Sequence, residues 1–329
     1  MKEGGNKSGR GPRWAADYFA RWLPLVLVVL LAGLFLPGLA KWNQFRAGGV
    51  VVYTSQDQVY AEPLLAEFTR QSGLKVRALY DSEAVKTVGL AVRLLAEREH
   101  PQCDVFWSSE ELRTRQLAAR NVFRETNGWA AFGWRSRRLC LASPPAAAPP
   151  RSLLELTNAA WRGRVALAYP LFGTTATHFL ALRQRWGPER WESWCRALAA
   201  NRPFLEDGNA PVTRRVARGE AWVGLTDSDD VAAAAREGLA VGPAQPMTED
   251  TLLIPNTVAV IRRAPHPEAA QKLFEFLQRR EVAERLIAVH ALEGFSASEV
   301  TAPTLKPDWD ALLRELEPAT ETLRRVFLR

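Results

Sequence analysis

Polar side chains follow the predicted strands of this chain at five places, and their oxygen atoms could bind a small charged solute. The five clusters are Thr54-Ser55-Gln56-Asp57, Asp81-Ser82-Glu83, Ser108-Ser109-Glu110, Gly173-Thr174-Thr175-Ala176 and Thr226-Asp227-Ser228-Asp229-Asp230. Any one of them could be ordinary helix N-capping, because Ser, Thr and Asp are the residues expected there. Ligands of open α/β sheets bind where strand ends and helix N-termini converge, so the five clusters together predict a shared cleft.

Two of these clusters indicate the charge of a ligand. Residues 173–177 open a predicted helix with a glycine and three threonines, so free backbone N–H groups and hydroxyls could hold an anion there. The segment lacks the lysine-containing pattern of a nucleotide phosphate loop, and ATP binding is not inferred. Asp227, Asp229 and Asp230 offer carboxylate oxygens to a hard cation. The alternative is a helix N-terminus whose acids complement the helix dipole.

Patterns that would indicate catalysis are absent from the sequence. The four histidines, His100, His178, His266 and His290, show no paired metal-binding spacing. No Gly-x-Ser-x-Gly turn occurs, and no combination of cysteine with histidine suggests a nucleophile. We therefore expect a protein that is not an enzyme and needs no catalytic cofactor.

The composition is that of a soluble globular protein with about two domains. The chain has 329 residues, of which 47% are hydrophobic and 24% charged. Its three cysteines, Cys103, Cys140 and Cys195, are widely spaced and do not fit a disulfide framework. The net charge is +7, but residues 1–46 alone contain seven Lys or Arg and only two acids. Since the remainder is nearly neutral, we expect no nucleic-acid partner.

An apolar segment precedes the globular part of the chain. Residues 23–40 contain no charge, Trp22 and Trp42 flank them, and five Lys or Arg come before them. This pattern is typical of a membrane-spanning helix or a secretory signal, with the N-terminus kept in the cytoplasm by its basic residues. We therefore expect residues from 47 onward on the extracytoplasmic face of the membrane or in the periplasm. A retained anchor and a signal cleaved after Gly38-Leu39-Ala40 both stay open.

The elements that position the polar clusters alternate between strand and helix, which predicts an α/β fold with mainly parallel sheets. Short apolar runs predict strands at residues 49–54, 74–79, 103–107, 164–168, 221–225 and 256–261. Segments of helical periodicity follow the first five of these strands, and the chain after residue 261 is predicted to be helical. A proline-rich stretch at 143–150 separates two strand–helix series.

Several long blocks of the sequence resemble a known family. They are VVYTSQD in the 50–57 region, CDVFWSSE (103–110), WRGRVALAYPLFGTTATHF (161–179), GNAPVTRRVARGEAWVGLTDSDD (208–230) and LLIPNTVAVIRRAPHPEAAQKLFEFL (252–277). Over about residues 49–290 the chain resembles the ferric-ion-binding type of bacterial ABC-importer solute-binding proteins, which have the type II periplasmic-binding-protein fold.

The resemblance implies two α/β lobes that close on a solute by a hinge motion. The first lobe would comprise residues 47–140 and 257–300, and the second lobe residues 141–256. Residues 138–142 and 256–261 would form the strands that cross between the lobes, while helices in residues 301–329 could pack on either lobe.

The resemblance also implies a set of ligands. In ferric-binding relatives a histidine after the first strand, a glutamate and two adjacent tyrosines bind iron beside an anion. At these positions the chain has Asp57, Ser109 with Glu110 adjacent, and the pair Asp229-Asp230. Carboxylates are competent oxygen ligands for Fe³⁺, Mn²⁺ or Ca²⁺, so a metal site at Asp57, Asp229 and Asp230 is implied.

Other residues match the family's anion site and cleft walls. The positions matched to the anion site are Thr174, Thr175, Ala176, Asn209, Thr226 and Asp227. The remaining cleft would be lined by Thr54, Ser55, Ser82, Ser108, Ser109 and Glu110.

Taken together, these features predict the extracytoplasmic solute-binding component of an ABC importer. It would capture a metal ion, ferric iron or a similar hard cation, with an accompanying anion in the cleft between the lobes, and its partner would be an ABC-transporter permease. Two alternatives stay open: a receptor for a small organic or phosphorus-containing anion without metal, and a membrane-tethered interaction module with a degenerate cleft.

Overall fold

The computed structural model of the chain describes residues 49–81, 88–126, 128–300 and 304–328. The apolar segment 23–40 and the expected cleft residue Ser82 lie outside these ranges. Among the described helices, none is both long enough and apolar enough to cross a bilayer. The membrane-anchor or signal assignment of the N-terminal segment therefore stays a prediction.

Strands and helices alternate through most of the described chain. The strands are β1 (Gly49–Thr54), β2 (Lys75–Tyr80), β3 (Val105–Ser108), β4 (Trp129–Leu141), β5 (Val165–Ala168), β6 (Phe204–Glu206), β7 (Val223–Asp227), β8 (Gln245–Pro246) and β9 (Leu253–Val260). The helices are α1 (Gln58–Ser72), α2 (Val88–Ala96), α3 (Leu112–Ala119), α4 (Gly173–Trp186), α5 (Pro188–Ala200), α6 (Asn209–Ala217), α7 (Ser228–Arg236), α8 (Pro267–Leu277), α9 (Arg280–Ala288) and α10 (Trp309–Phe327).

The strands are hydrogen-bonded in the order β2-β1-β3-β9-β4-β7-β5-β6, with β8 paired to β4. The β1–β2 and β1–β3 pairs are parallel, as are β5–β6 and β5–β7, while β4 and β9 run antiparallel to their neighbours. Strand β4 pairs with β9 as far as Ser136 and with β7 from Arg137 onward. One strand thus passes from the first half of the sheet into the second, which gives the predicted two-lobed α/β fold. The residue boundaries given for the lobes stay predictions.

The crossing strand β4 is much longer than the predicted segment 138–142. It begins at Trp129, and its register shifts between Phe132 and Trp134. Gly133, at the shift, has φ of +62°, and a Cβ there would lie 2.2 Å from Leu292 Cδ1. A glycine is therefore required at this bulge, both for its backbone conformation and for space.

The C-terminal helix α10 packs on the second lobe. Its buried apolar residues recur at helical spacing and belong to the same core as β5 and β7: Leu312, Leu316, Ala319, Leu323 and Phe327. The Phe327 and Phe179 rings lie 6.0 Å apart, which joins α10 to α4. The Arg115 guanidinium of α3 also lies over the Trp309 ring at the start of α10, 5.2 Å from its centroid, so the helix contacts the first lobe as well.

Candidate functional site

A small cavity of about 40 Å³ lies where β7 and the N-termini of α4, α6 and α7 face the loop after β1. One ordered water requires roughly 10–15 Å³, so this cavity has room for a few water molecules or a small ion. The predicted residues that line it are Asp57, Ser109, Thr174, Thr175, Asn209, Asp227, Asp229 and Asp230. The structure therefore brings most of the expected metal and anion residues to one place.

Three helix N-termini meet at this cavity without side-chain caps. Helices α4, α6 and α7 begin after Phe172, Gly208 and Asp227, and none of these three residues caps its helix through a side-chain hydrogen bond. The first N–H groups of a helix have no partner within it, and the helix dipole places partial positive charge there. The cavity is consequently suited to an anion on its second-lobe side.

Two residues matched to the anion site do not line the cavity. The Ala176 N–H donates to the Phe172 carbonyl at 3.1 Å, so it is used within α4. The Thr226 hydroxyl is buried and lies 3.2 Å from Asp230 Oδ2 and 3.3 Å from the Asn209 carbonyl. Both residues therefore support their neighbours, because their polar groups already have partners inside the protein.

The carboxylate of Asp227 is the centre of a buried polar network. Arg137, directly opposite it in the β4–β7 pairing, donates from Nη1 to Asp227 Oδ1 at 2.7 Å. The Thr174 hydroxyl donates at 2.9 Å, Asn209 Nδ2 at 3.2 Å and Arg135 Nη2 at 3.2 Å, all to Asp227 Oδ2. Since a carboxylate only accepts hydrogen bonds, these contacts fit a positioning role for Asp227 better than the expected direct contact with an anion.

Electrostatics keep Asp227 ionised. Burial raises the pKa of this carboxyl, but the charges of Arg137 and Arg135 outweigh burial and hold the pKa below its ordinary value. The side chains are almost completely buried, with Arg137 0% and Asp227 2% exposed. A charge pair of this kind requires both members, because either one alone would be an uncompensated buried charge.

Arg135 is the main functional candidate that the sequence analysis missed. Its Nε lies 3.2 Å from Asp229 Oδ1, and its guanidinium lines the cavity. Burial lowers the pKa of Arg135, but the charges of Asp229 and Asp227 raise it by more than burial lowers it. The pKa of Arg135 therefore lies above its ordinary value. Its Nη1 atom is buried and has no hydrogen-bond partner in the part of the chain that the structure describes. A run of basic residues in a strand, Arg135, Arg137 and Arg138, was the available signal.

An acidic wall closes the other side of the cavity. Ligand oxygens of Asp227, Asp229 and Asp230 lie within 4.8 Å of one another, which is close enough to share a metal ion. Asp57, at the start of α1 in the first lobe, lines the same cavity. Asp229 and Asp230 also occupy the first turn of α7, so a favourable interaction with the helix dipole accounts for part of their placement.

The serine and threonine side chains of the first lobe form hydrogen bonds next to the cavity. Ser55 and Ser109 lie with their hydroxyls 3.2 Å apart, and Ser109 reaches the cavity. Thr54 accepts from the Gln56 N–H at 3.0 Å, and Ser108 donates to the Glu110 carbonyl at 2.9 Å. Thr54 and Ser108 do not line the cavity, because their hydroxyls shape the turns after β1 and β3.

Glu110 is also a structural residue. Its carboxylate accepts from the N–H groups of Leu112 at 2.6 Å and Arg113 at 3.0 Å, and from the Thr177 hydroxyl at 3.2 Å. Burial raises the pKa of Glu110. It does not line the cavity, so at this cluster the helix-capping alternative describes the side chain correctly.

A comparison with known proteins shows which family of sequences the chain matches. A sequence profile described as "Bacterial extracellular solute-binding protein" matches residues 49–288. No curated protein matches the sequence.

Several solved structures have the same fold. Iron-bound HitA from Pseudomonas aeruginosa superposes with a TM-score of 0.73 at 20% identity, covering 85% of this chain and 99% of that chain. AfuA from Actinobacillus pleuropneumoniae with bound fructose-6-phosphate gives 0.72 at 17% identity, covering 86% and 99%. Trichodesmium FutA with iron and citrate gives 0.65 at 19% identity, covering 86% and 100%.

Proposed function

Since the chain belongs to the bacterial extracellular solute-binding proteins, we propose that its cleft captures a hard metal ion together with a small anion. The family consists of transport components of ABC importers and not of enzymes, and it implies an extracytoplasmic location and a permease partner.

The close approach of the Asp227, Asp229 and Asp230 carboxylates carries the proposal. Carboxylate oxygens are the ligands that hard cations prefer. Two arginines hold Asp227 and one of them, Arg135, also contacts Asp229, so the cation would lie on the side of Asp229 and Asp230 where Asp57 lines the same cavity. A cation between these three would relieve the repulsion among them. Because Asp57 comes from the first lobe and Asp229-Asp230 from the second, binding and lobe closure become one event.

The anion would lie at the uncapped start of α4. Thr174 and Thr175 line the cavity there, and the buried Nη1 of Arg135 supplies a further donor. The neighbours that contain iron, HitA and FutA, support a metal as cargo in this fold. AfuA, which contains fructose-6-phosphate, supports an oxyanion at the same cleft.

The double variant Asp229→Asn with Asp230→Asn tests the metal site. With bicarbonate present, Mn²⁺ or Fe³⁺ should raise the melting temperature of the parent but not of this variant. The matched control, Glu281→Gln with Glu284→Gln, changes the same number of charges on exposed α9 and should respond like the parent. An equal metal-induced shift in the double variant would show that these aspartates are not ligands.

A receptor for a phosphorus-containing anion without metal is the second candidate. The buried Arg135 Nη1 favours this candidate, because it is a charged donor that has no acceptor among the described residues. In chelator-treated protein, phosphate binding that survives the double aspartate substitution would support this candidate over the metal. The interaction-module alternative gains no support, since mainly polar side chains line the cavity.

A further inference from the structure

Helix α7 packs on β7 in the second lobe, but first-lobe side chains contact it at both of its ends. At the start of the helix, the Ser228 hydroxyl donates to the carboxylate of Glu293, which directly follows Leu292 of the first-lobe core. At the end of the helix, Arg236 Nη2 donates to the Tyr60 hydroxyl of α1 at 2.7 Å. The helix is therefore an element through which the two lobes are held together.

The start of α7 is fixed on the crossing strand β4. The Ser136 N–H donates to Ser228 Oγ at 3.4 Å, and Arg138 Nη2 lies 2.6 Å from Glu293 Oε2. Burial raises the pKa of Glu293, but hydrogen bonds from two serines and Arg138 outweigh burial and lower it. Arg236 is eight residues farther along, roughly 12 Å at 1.5 Å per residue. A rotation of the lobes about β4 therefore displaces Arg236 more than the start of the helix.

The contact between Tyr60 and Arg236 joins the two lobes far from the crossing strand. Tyr60 is 7% exposed and belongs to the first-lobe core of β1 and α8. The Arg236 guanidinium carbon lies 5.7 Å from the centroid of the Tyr60 ring, so a cation–π contact accompanies the hydrogen bond. Within the described part of the chain, Arg236 forms no ion pair that would hold it there instead. Both interactions therefore exist only while α7 lies against α1.

Tyr60 also lies close to the acids of the cavity. Burial and then the charge of Asp229 raise the pKa of Tyr60 to about 12, although Arg236 lowers it. The phenol is consequently neutral, and its oxygen accepts the hydrogen bond from Arg236. Asp229 and Asp230 lie in the first turn of α7, and Asp57 lies directly before α1. A contact that holds α7 against α1 thus also holds these acids around one cavity.

We propose that the Tyr60–Arg236 contact stabilises the closed arrangement of the lobes and keeps part of the solute-free protein closed. Both are positioning residues, because they act through the acids of α7 and Asp57 and do not line the cavity. Loss of the hydrogen bond should lower the ratio of closed to open protein by about three- to tenfold. A solute that binds only the closed form should then bind more weakly by up to the same factor. The contact acts on any such solute, so its role does not depend on the solute proposed above.

Single-molecule fluorescence energy transfer on the full chain measures the closed fraction. Dyes on Arg70→Cys of α1 and Arg218→Cys after α6 sit at exposed positions on the two helices that line the open side of the cleft. The three native cysteines are buried and stay unlabelled. In chelator-treated protein without solute, the parent should populate a short-distance state, and Tyr60→Phe should lower its ratio to the open state by about three- to tenfold. A parent that is entirely open, or a variant with the distribution of the parent, would overturn the proposal.

Three further variants distinguish this contact from a general loss of packing. Arg236→Gln removes the hydrogen bond and the ring contact, so adding Tyr60→Phe to it should open the cleft no further. Arg236→Lys keeps the charge and should restore part of the closed population. The matched control is Arg279→Gln, because Arg279 is also exposed and contacts the Phe276 ring at 5.4 Å and Gln71 of α1, all within the first lobe. It should leave the closed fraction unchanged. Additive effects of the first two substitutions, or equal opening by the control, would refute the role of the Tyr60–Arg236 contact.

Discussion

Asp227→Asn should destabilise the protein more than any other single change of a cleft acid. Arg137 is 0% exposed, and its charged partner within hydrogen-bonding distance is Asp227, at 2.7 Å. Removing one member of a buried ion pair typically costs about 3–5 kcal/mol, since the remaining charge is left in a medium of low polarity. The charge of Arg135 is destabilised less than that of Arg137, because Arg135 keeps its contact with Asp229. We therefore expect a loss of about 3–5 kcal/mol in the free energy of unfolding.

Urea denaturation followed by tryptophan fluorescence measures this loss. Two comparison variants show whether the loss comes from the buried ion pair. Asp230→Asn, at a partly exposed acid, should cost less than about 1 kcal/mol. Combining Arg137→Met with Asp227→Leu removes both charges, so the double variant should be more stable than Asp227→Asn alone. A loss below about 1 kcal/mol for Asp227→Asn would falsify the buried-pair argument.

The same pair sets a pH dependence. The folded-state pKa of Asp227 lies below its unfolded value, so its stabilisation is present above the unfolded pKa. It is lost as the pH falls through the folded pKa, where the carboxyl takes up a proton. The acid-induced loss of stability in the parent should therefore be steeper than in the variant without both charges.

Three further predictions concern other parts of the molecule. Thr175→Val should weaken anion binding by about tenfold in calorimetry, since a hydroxyl bond to a charged group is lost, and unchanged affinity would leave Thr175 as a plain helix residue. Burial lowers the pKa of His178 to about 3, so the unfolded state alone gains a proton below about pH 6.5, and stability should fall by up to about 1.4 kcal/mol per pH unit. His178→Gln should flatten the dependence of stability on pH below about pH 6.5. A curve for this variant that runs parallel to that of the parent would contradict the role of His178. Gly133→Ala should cost about 1–3 kcal/mol in denaturation experiments, because alanine is strained at φ of +62° and its Cβ would displace Leu292, and a neutral effect would disprove the strain at the bulge.

The sequence by itself determined the class of fold and the general place of the site. Apolar runs such as 49–54 and 164–168 and the glycine after α1 are local signals, and the structure has β1, β5 and the left-handed Gly73 at these places. Polar clusters at strand ends predicted a cleft, because strand direction alone brings such residues to one edge of a sheet. The threonines of α4 and the acids of α7 were found in this way.

Only the tertiary structure decided which polar residues act on a ligand and which support the fold. Arg135 and Asp227 are 92 positions apart, and the register of β4 on β7 brings them together. No local pattern encodes that register, so the sequence could not distinguish a buried arginine in the cleft from an exposed one. Glu110 shows the converse: its residue type fits a site, but the Leu112 and Arg113 N–H groups and the distant Thr177 hydroxyl already donate to its carboxylate. Hydrogen-bond partners across the fold are non-local, and they set the function of each side chain in this cleft.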